Sequence, residues 1–333
     1  MRWQRRHGRH GLPWQGTRDP YRVWLSEVML QQTQVATVVG YYDRFLQRFP
    51  SVADLAAAPL DDVLALWSGL GYYSRARNLH RCAQAVVGLH GGVFPAGSQA
   101  LQDLPGIGRS TAAAIAAFCF AERVAILDGN VKRVLGRALG FEGDLSSARE
   151  HERLWQQAQA LLPVRGVETY TQGLMDLGAT LCTIRSPACE RCPLAADCVA
   201  RASGEPQRFP VKTRQLKRSR RENALLLLVH RRRIWLVQRP GEGVWGGLWT
   251  LPEFPSVAAL AELSARWPGE GKRLPTVQHA LTHFDWTLHP LRWQWGGRRA
   301  PDAAQLPAGR WVALDEALAL GLPAPVRRLL AAA

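Results

Sequence analysis

The sequence lacks any apolar run long enough to cross a bilayer, and its basic start, MRWQRRHGRHG, is not followed by the apolar segment of a signal peptide. We therefore expect a cytoplasmic protein that has no membrane-spanning segment. Cysteine is also scarce, with six in 333 residues. In the cytoplasm these residues are expected to be reduced thiols or metal ligands, which excludes a fold held together by disulfides.

Acidic residues are few: 27 Asp and Glu stand against 42 Lys and Arg, which gives a formal net charge of +15. This excess favours a polyanionic partner, and the absence of a membrane span favours nucleic acid over a membrane surface. No internal repeat is present. The length suggests two domains, and the 47% of hydrophobic residues is enough to build a core in each.

The first 200 residues contain no strong strand pattern but a series of helical ones, such as DPYRVWLSEVML, where Asp19 is expected to cap the helix and Pro20 to begin it. The stretch GEPQRFPVKTRQLKRSRRE is polar and strongly basic, which is typical of a linker. Strand-like runs such as NALLLLVH and RIWLVQRP follow, joined by a turn at three arginines. We predict a mainly α region over 1–200, a basic linker over 201–222 and a smaller α+β domain over 223–333.

Four cysteines lie close together in CTIRSPACERCPLAADC, with six, two and five residues between Cys182, Cys189, Cys192 and Cys198. Four thiolates suit either tetrahedral zinc or an iron–sulfur cluster. Zinc sites commonly use two separated short-spaced pairs, whereas only Cys189 and Cys192 are closely paired here. We therefore favour one [4Fe–4S] cluster. The arginines of the same loop would give it a basic surface that faces DNA.

A turn between two helical patterns, LPGIGRSTAAAIAAF, carries Gly106 and Gly108. Glycines let backbone N–H groups approach an anion closely, and the dipole of the following helix favours negative charge at its start. The pattern is typical of a helix-hairpin-helix that holds a DNA phosphate. A plain connection between two helices explains the same glycines, so the motif alone leaves both interpretations open.

The stretch SEVMLQQTQV places one carboxylate, Glu27, on an apolar helix and follows it with three glutamines. Partial desolvation favours the protonated form, which a general acid requires, and an ion pair with a nearby arginine is the alternative. A second carboxylate, Asp128, precedes the helix of ILDGNVKRVLG. It is either a helix cap or a group that faces a developing positive charge.

Seven segments in this order resemble the adenine DNA glycosylases of the MutY type, within the helix-hairpin-helix DNA glycosylase superfamily: LPWQ, VWLSEVMLQQTQVATV, GLGYYSRARNLH, LPGIGRSTA, ILDGNVKRVL, MDLGA and the cysteine loop. The resemblance covers residues 10–200 strongly. It implies a helix-hairpin-helix glycosylase fold with an iron–sulfur loop. It also implies an enzyme of base excision repair that rotates adenine out of the duplex and hydrolyses its N-glycosidic bond.

The resemblance also implies the roles of individual residues. Glu27 would protonate the adenine and activate water, Asp128 would stabilise the positively charged sugar, and Asn130 would support them. Ser110 stands where the endonuclease III relatives have a lysine that attacks the sugar, and a hydroxyl cannot form a Schiff base, so the strand should stay intact. The residues implied in contacts with DNA or the base are Trp14, Gln31, Gln32, Tyr72, Gly106, Gly108, Arg109, Thr282 and His283.

The remainder of the chain resembles a Nudix-like domain more weakly, through WGGLWTLPE and THF. A Nudix hydrolase needs several glutamates to bind magnesium, but the helix pattern after this motif contains only Glu262, so pyrophosphate hydrolysis is not expected. In the family this domain recognises 8-oxoguanine opposite the adenine. Thr282 and His283 occupy that place here, after Leu281, where the family often has an aromatic residue. The expected partner is double-stranded DNA with A opposite 8-oxoguanine or guanine, bound by a monomer at the nucleoid.

Three other functions compete with this interpretation. An endonuclease III-type glycosylase with lyase activity is disfavoured by Ser110 and by the extra domain. A non-catalytic DNA-binding protein with a structural cluster is disfavoured by the apparent pairing of Glu27 with Asp128. A Nudix hydrolase with a DNA-binding appendage is disfavoured by the missing glutamates.

Overall fold

The computed structural model describes residues 1–213, 217–302 and 306–332. The chain divides into two compact units, of which the first consists of Met1–Ala57 with Arg81–Gln215 and the second of Ala58–His80 with Leu216–Ala333. The predicted fold class, a mainly α region followed by a smaller α+β domain, is confirmed. Within the described residues, no helix is long and apolar enough to span a membrane.

The first unit is helical. Its helices are α1 (Arg2–His7), α2 (Pro20–Leu30), α3 (Val35–Arg48), α4 (Val52–Ala57), the C-terminal part of α6 (Ser74–His90), α7 (Ser98–Gln102), α8 (Arg109–Phe120), α9 (Gly129–Ala138), α10 (Ala148–Ala160), α11 (Val167–Thr180) and α12 (Val199–Ala202). The start of α2 matches the prediction: the Asp19 side chain accepts a hydrogen bond from the Tyr21 N–H at 2.9 Å, and Pro20 is the first helical residue.

Helix α8 lies in the core of the first unit because its side chains are small. Ala112, Ala113 and Ala116 are each fully buried. The alanine face lets neighbouring helices pack closely, and the core cluster around it includes Val131 of α9 and Trp155 of α10. Helix α8 also packs against α2, which carries Glu27, and it shares this core cluster with α9, which follows Asp128.

The second unit contains a mixed sheet. Its strands are β1 (Ser219–His230), β2 (Arg233–Gln238), β3 (Trp249–Thr250), β4 (Glu253–Phe254), β5 (Gly269–Arg273), β6 (Val277–Ala280), β7 (Phe284–Trp295) and β8 (Arg310–Ala313). Its helices are α5 (Leu60–Trp67), the N-terminal part of α6, α13 (Val257–Ser264), α14 (Leu314–Ala319) and α15 (Ala324–Ala331). The order in the sheet is β3-β2-β1-β7-β5, with β8 beside β2, β4 beside β1 and β6 beside β7.

Strands β1 and β7 form the centre of this sheet. They run parallel, and their register extends from Ser219 opposite Phe284 to Val229 opposite Gln294. Pro290 of β7 has no N–H to donate. It lies opposite the gap between β5 and β6, where its carbonyl accepts a hydrogen bond from the Leu274 N–H. The proline therefore does not interrupt the register between the two long strands.

The segment 58–80 belongs to the second unit, although its sequence is helical like that of the first. The Ser68 hydroxyl donates to the carbonyl of Leu322 at 2.8 Å, and the Tyr73 hydroxyl donates to the same carbonyl at 3.1 Å. Arg77 donates to the carbonyl of Gly246 at 2.7 Å. Hydrophobic periodicity shows that a helix buries one face but not which partner covers it, so the sequence alone could not make this assignment.

The predicted linker, 201–222, contains ordered structure at both ends. Phe209 is 4% exposed, and the carbonyl of Val211 accepts a hydrogen bond from the Leu145 N–H at 3.0 Å. Strand β1 already begins at Ser219. Arg214, one of the basic residues of this stretch, lies outside the described residues.

Candidate active site and cysteine cavity

The turn between α7 and α8 leaves its backbone accessible at two glycines. Gly106 has a φ of 76°, in the left-handed region that favours glycine, and a Cβ atom at Gly108 would meet nothing within 4 Å. The Arg109 side chain reaches Glu152 at 2.6 Å and lies 4.0 Å from the centre of the Trp155 ring. The backbone at the start of α8 is therefore open to an anion such as a phosphate.

Glu27 of α2 and Asp128, the residue before α9, lie close enough for the charge of one to act on the other. Burial, and secondly the charge of Asp128, raise the pKa of Glu27 to about 8. Burial also raises the pKa of Asp128, but hydrogen bonds from Val131 and Asn130 oppose that increase. At neutral pH the pair therefore holds a proton on Glu27, and the hydrogen bonds to Asp128 favour the ionised form of that carboxyl.

The surroundings of the two carboxyls bear on the interpretations that the sequence left open. The Asp128 Oδ1 atom accepts the Val131 N–H at 2.7 Å, so Asp128 is a helix cap. Its Oδ2 atom accepts a long hydrogen bond of 3.4 Å from the Asn130 side-chain amide. Within the described residues, the Glu27 carboxyl has no ion pair with an arginine, which was the alternative to an acid role.

Ser110 joins α8 to the backbone beside Asp128. Its hydroxyl oxygen accepts a hydrogen bond from the Leu127 N–H at 3.3 Å. The next residue, Thr111, accepts a long hydrogen bond of 3.4 Å from the Gln31 amide. The first turn of α8 thus contacts the end of α2 and the start of α9, the two elements that hold the carboxyls. Gln31, predicted to contact DNA, directs its amide at the protein here.

Helix α9 connects the active-site residues to the cysteine loop through two arginines. Arg133 donates to the Asn130 Oδ1 atom at 2.8 Å and to the carbonyl of Cys182 at 2.6 Å. One turn later Arg137, 3% exposed, donates to a second loop carbonyl at 2.6 Å and contacts the Cys182 sulfur at 3.4 Å. Neither arginine can be recognised from the sequence alone, because both roles depend on the loop lying beside α9.

The motif MDLGA, in α11, fixes two contacts near these residues. Asp176 is fully buried, and its carboxylate accepts hydrogen bonds from the backbone and side chain of Arg9 at 3.0 and 2.7 Å. A Cβ atom at Gly178 would lie 2.6 Å from the Cβ atom of Asn130, so only glycine allows α11 to come this close to α9. The motif therefore anchors the N-terminal segment and sets the position of Asn130.

All four predicted ligand cysteines line one cavity. The other walls are mainly apolar and come from α9, α11 and the loop itself, with Arg137 and Arg201 at the edge. The cysteines that share the cavity are Cys182, Cys189, Cys192 and Cys198. Cys82 and Cys119 are buried elsewhere in the core, as the sequence predicts.

The donor set of this cavity is four thiols, which suit either an iron–sulfur cluster or tetrahedral zinc. Within the described residues, no three His, Cys, Asp or Glu side chains are arranged to hold one metal ion, whereas the four thiols surround a common space. Burial, increased by repulsion among the thiols, raises the pKa of Cys189 and Cys192. A bound cationic metal group would favour the thiolate form of these two residues.

In the second unit, Tyr72 meets the loop that contains Thr282. The two hydroxyl oxygens are 3.1 Å apart, and either can donate. Both side chains are exposed, as is that of His283. The Leu281 N–H donates to the carbonyl of Phe284 at 2.9 Å, which closes the loop into a tight turn. The structure thus brings together residues that were predicted separately to contact DNA.

Gln32 and Tyr72, two of the residues predicted to contact DNA or the base, share an uncommon backbone conformation. Their φ angles are 57° and 47°, and both side chains are exposed. Residues other than glycine rarely adopt positive φ, and such strain clusters at functional sites. Trp14, predicted to line the base pocket, is 9% exposed and packs edge-to-face on Tyr42 with ring centres 5.4 Å apart.

Comparisons with known proteins agree with this geometry. Residues 25–159 match the HhH-GPD superfamily of base excision DNA repair proteins, and residues 223–332 match the NUDIX domain. The solved structure of a thermostable thymine-DNA glycosylase is 31% identical, with a TM-score of 0.55 over 60% of this chain and 91% of that one. An endonuclease III bound to DNA, at 24% identity and a TM-score of 0.50, covers 60% of this chain and 90% of its own and supports the fold alone. Fold and site together define a helix-hairpin-helix DNA glycosylase.

Relatives that match along most of the chain identify one family within this class. The adenine DNA glycosylase of Buchnera aphidicola from Acyrthosiphon pisum is 33% identical over 341 residues, which cover 99% of this chain and 95% of that protein. The human adenine DNA glycosylase is 36% identical over 361 residues, covering 90% of this chain and 65% of its own. The chain belongs to the adenine DNA glycosylase family, as the resemblance of its motifs predicted.

Proposed function

We propose that this protein hydrolyses the N-glycosidic bond of adenine in duplex DNA, after the base has rotated out of the helix, and leaves the strand intact. The pair of unlike carboxyls carries this proposal. With a pKa of about 8, Glu27 holds a proton at neutral pH, while Asp128 is stabilised as an anion at the start of α9. Hydrolysis of a glycosidic bond needs one carboxyl in each state.

The chemistry balances with these two groups and water. Glu27 donates its proton to adenine as the bond from the sugar C1′ atom to the base breaks, and the bonding electrons leave with the base. The charge of Asp128 stabilises the positive sugar that remains. Ionised Glu27 then takes a proton from a water molecule whose oxygen bonds to C1′, which restores the acid. Asn130 supports Asp128 through its amide.

One assay tests this activity directly. A duplex that contains A opposite 8-oxoguanine is incubated with the protein, and half of each sample is treated with alkali. Strand breaks that appear only after alkali are the expected result, because alkali cleaves the abasic site that a glycosylase leaves. Breaks without alkali would show a lyase, and no breaks in either sample would overturn the proposal.

We further propose that the substrate is adenine opposite 8-oxoguanine or guanine, and that a monomer acts at the nucleoid. Residues 1–200 would carry the catalytic chemistry, and 223–333 would recognise the lesion through Thr282 and His283. This assignment is supported by the exposure of both side chains and by the hydrogen bond between Thr282 and Tyr72. The 8-oxo group and the N7 hydrogen are few atoms, so a few hydrogen bonds must supply the discrimination.

His283→Ala should reduce the preference for 8-oxoguanine over guanine without abolishing excision opposite guanine. A hydrogen bond whose partner is left buried and unpaired is worth about 1–3 kcal/mol, which corresponds to roughly 5- to 150-fold in the ratio of rates. Single-turnover excision on the two duplexes measures that ratio. Thr282→Ser, which keeps the hydroxyl beside Tyr72, is the matched control and should retain the preference. A full preference in His283→Ala would remove this residue from lesion recognition.

Ser110→Lys should add strand cleavage, visible as a covalent complex that borohydride traps. A lysine amine can attack the sugar and form a Schiff base, which the serine hydroxyl cannot do. Ser110→Ala is the control, because both variants lose the acceptor of the Leu127 N–H, whereas only the lysine variant gains an amine. Strand cleavage by the unaltered protein at the rate of excision would contradict the proposed activity.

We also propose that Cys182, Cys189, Cys192 and Cys198 hold one [4Fe–4S] cluster. The common cavity and the apolar walls support this proposal. When bound, the cluster would join the separate parts of the loop and order the surface around Arg185 and Arg191. Its loss should therefore weaken DNA binding.

Protein purified without oxygen should be yellow-brown and contain about four irons per chain. Cys198→Ser should lose most of this iron, because it removes one of the four ligands. Cys82→Ala is the matched control: its thiol is buried away from the cavity, so the iron content should stay unchanged. Stoichiometric zinc without iron in the unaltered protein would contradict the cluster.

A further inference from the structure

Two exposed arginines form the turn between β1 and β2. Arg231 and Arg232 have φ angles of 48° and 63°, and the flanking His230 and Arg233 pair with each other. A two-residue hairpin turn with positive φ at both positions prefers Asn-Gly, because other residues are strained there. Local stability therefore does not explain why two arginines occupy this turn.

A neighbouring loop brings two more arginines to the same end of the sheet. Arg231 donates to the carbonyl of Arg298 at 3.0 Å, and the Trp295 indole donates to the carbonyl of Arg299 at 2.9 Å. These contacts join the turn to the loop through backbone atoms and leave both loop side chains exposed. We call Arg231, Arg232, Arg298 and Arg299 the arginine end.

The positive charge of the arginine end is not neutralised by salt bridges. Within the described residues, none of its four guanidinium groups forms an ion pair. Asp315 and Glu316 follow Leu314, whose N–H donates to the carbonyl of Arg232, but both carboxylates are exposed and pair with none of the four. Four unpaired guanidinium groups on a fixed scaffold are suited to phosphates, which they can bind through two parallel hydrogen bonds.

The arginine end and the Thr282–His283 loop lie at opposite ends of the same two strands. Phe284, which follows the loop, is opposite Ser219 in the parallel register, and Arg231 lies beyond the other end of β1. At about 3.3 Å per residue, the distance from Ser219 to Arg231 is roughly 35–40 Å. This length is slightly more than one turn of duplex DNA, which is about 34 Å.

We propose that the arginine end binds the phosphates of duplex DNA about one helical turn away from the mispair, as a contact that reads no sequence. The inference rests on the proposed function for the place of the mispair at Thr282 and His283. The rigid register of β1 and β7 sets the spacing, and the release of counterions from the DNA supplies the affinity.

The test compares two DNA duplexes that differ in length. One has 12 base pairs and the other 40, each with the mispair at its centre, so only the longer one extends to the arginine end. Arg232→Gln/Arg298→Gln/Arg299→Gln removes three exposed side chains that form no hydrogen bond or ion pair in the described residues, so the fold should be retained. All proteins also carry Glu27→Gln to prevent turnover.

The triple variant should bind the 40-base-pair duplex on the order of tenfold more weakly at low salt, and the slope of log affinity against log salt should fall by about 2–3. Affinity for the 12-base-pair duplex should not change. An undamaged 40-base-pair duplex should show the same decrease in slope. This duplex contains no lesion, so the result holds even if the proposed lesion recognition is wrong. An equal loss on both duplexes, or no loss on the longer one, would overturn the inference.

Two further variants test whether binding depends on the position of the arginines, and not only on the net charge or the folding of the protein. Arg2→Gln/Arg5→Gln/Arg6→Gln removes three exposed arginines from α1 and should leave the slope on both duplexes unchanged. A loss equal to that of the first variant would mean that net charge alone is responsible.

Arg231→Asn/Arg232→Gly gives the turn its preferred residues, so it should retain or raise the melting temperature while weakening binding to the longer duplex. Unchanged binding in this variant would also count against the arginine end.

Discussion

Glu27→Gln is expected to retain DNA binding and lose nearly all adenine excision. The amide has almost the same shape as the neutral acid that a pKa of about 8 maintains at pH 7, so binding gains or loses no charge. It cannot donate a proton to the departing base, and a positioned general acid contributes about 10²–10⁴ in rate. Single-turnover excision, measured beside the dissociation constant for the same duplex, separates the two effects. Excision at the rate of the unaltered protein would exclude Glu27 as the acid.

The raised pKa of Glu27 also predicts how activity depends on pH. Excision by the unaltered protein should fall as pH rises through about 8, because the acid form of Glu27 is lost. The residual excision of Glu27→Gln should not show this decrease. A flat profile for the unaltered protein between pH 7 and 9 would contradict the role of Glu27.

The stability of the folded protein should also decrease as pH rises, because of the same group. The folded pKa is above the unfolded value, so the folded state binds more protons between these two values and the free energy of unfolding falls as pH rises through that interval. Glu27→Gln lacks this loss. It should match the unaltered protein near pH 4 and become increasingly more stable than it towards pH 8.

The sequence predicted those parts of the site that depend on a residue type at a fixed chain position. Asp128 caps a helix because a carboxylate precedes it, and Gly106 occupies a turn that favours glycine. The four cysteines lie in one short loop, so the cavity that they share follows from their spacing. The strands with clear β patterns, such as β1, β2 and β7, were predicted for the same reason.

Contacts between distant segments could not be predicted in this way. Nothing in the sequence indicates what Arg133 and Arg137 bind, and only the folded chain shows that they donate to the backbone of the cysteine loop. Strand β5, GEGKR, has no apolar residue, and β6, VQHA, has only four residues, so neither sequence predicts a strand; both form by pairing with β7. The assignment of 58–80 to the second unit arises similarly, from hydrogen bonds to the carbonyl of Leu322.

The place of 58–80 changes how the role of the second unit should be tested. Truncation of the chain after Thr213 would remove the Thr282–His283 loop, but it would also remove Leu322, whose carbonyl accepts hydrogen bonds from Ser68 and Tyr73. The segment that carries Tyr72 would then lose its support. A loss of discrimination in such a truncation would therefore have two causes, whereas His283→Ala leaves the packing of 58–80 intact.

Asp128→Asn separates the charge of Asp128 from its structural role. Asparagine is as good a helix cap as aspartate, so its side-chain oxygen can still accept the Val131 N–H and the helix should remain intact. The negative charge is lost, and with it the long hydrogen bond from Asn130. Asp128→Ala, which loses the cap as well, is the comparison that reports the cost in stability, about 1 kcal/mol.

Excision by Asp128→Asn should fall by about 10²–10³, the usual effect of removing one group that stabilises charge in a transition state. The residual activity should carry a second signature. The charge of Asp128 contributes to the raised pKa of Glu27, so its removal should move the alkaline decrease of the rate to a lower pH. A reduced rate with an unchanged pH profile would mean that Asp128 acts on the sugar without being coupled to Glu27. An unchanged rate would mean that the carboxylate is only a helix cap, and that the positive sugar is stabilised by another group.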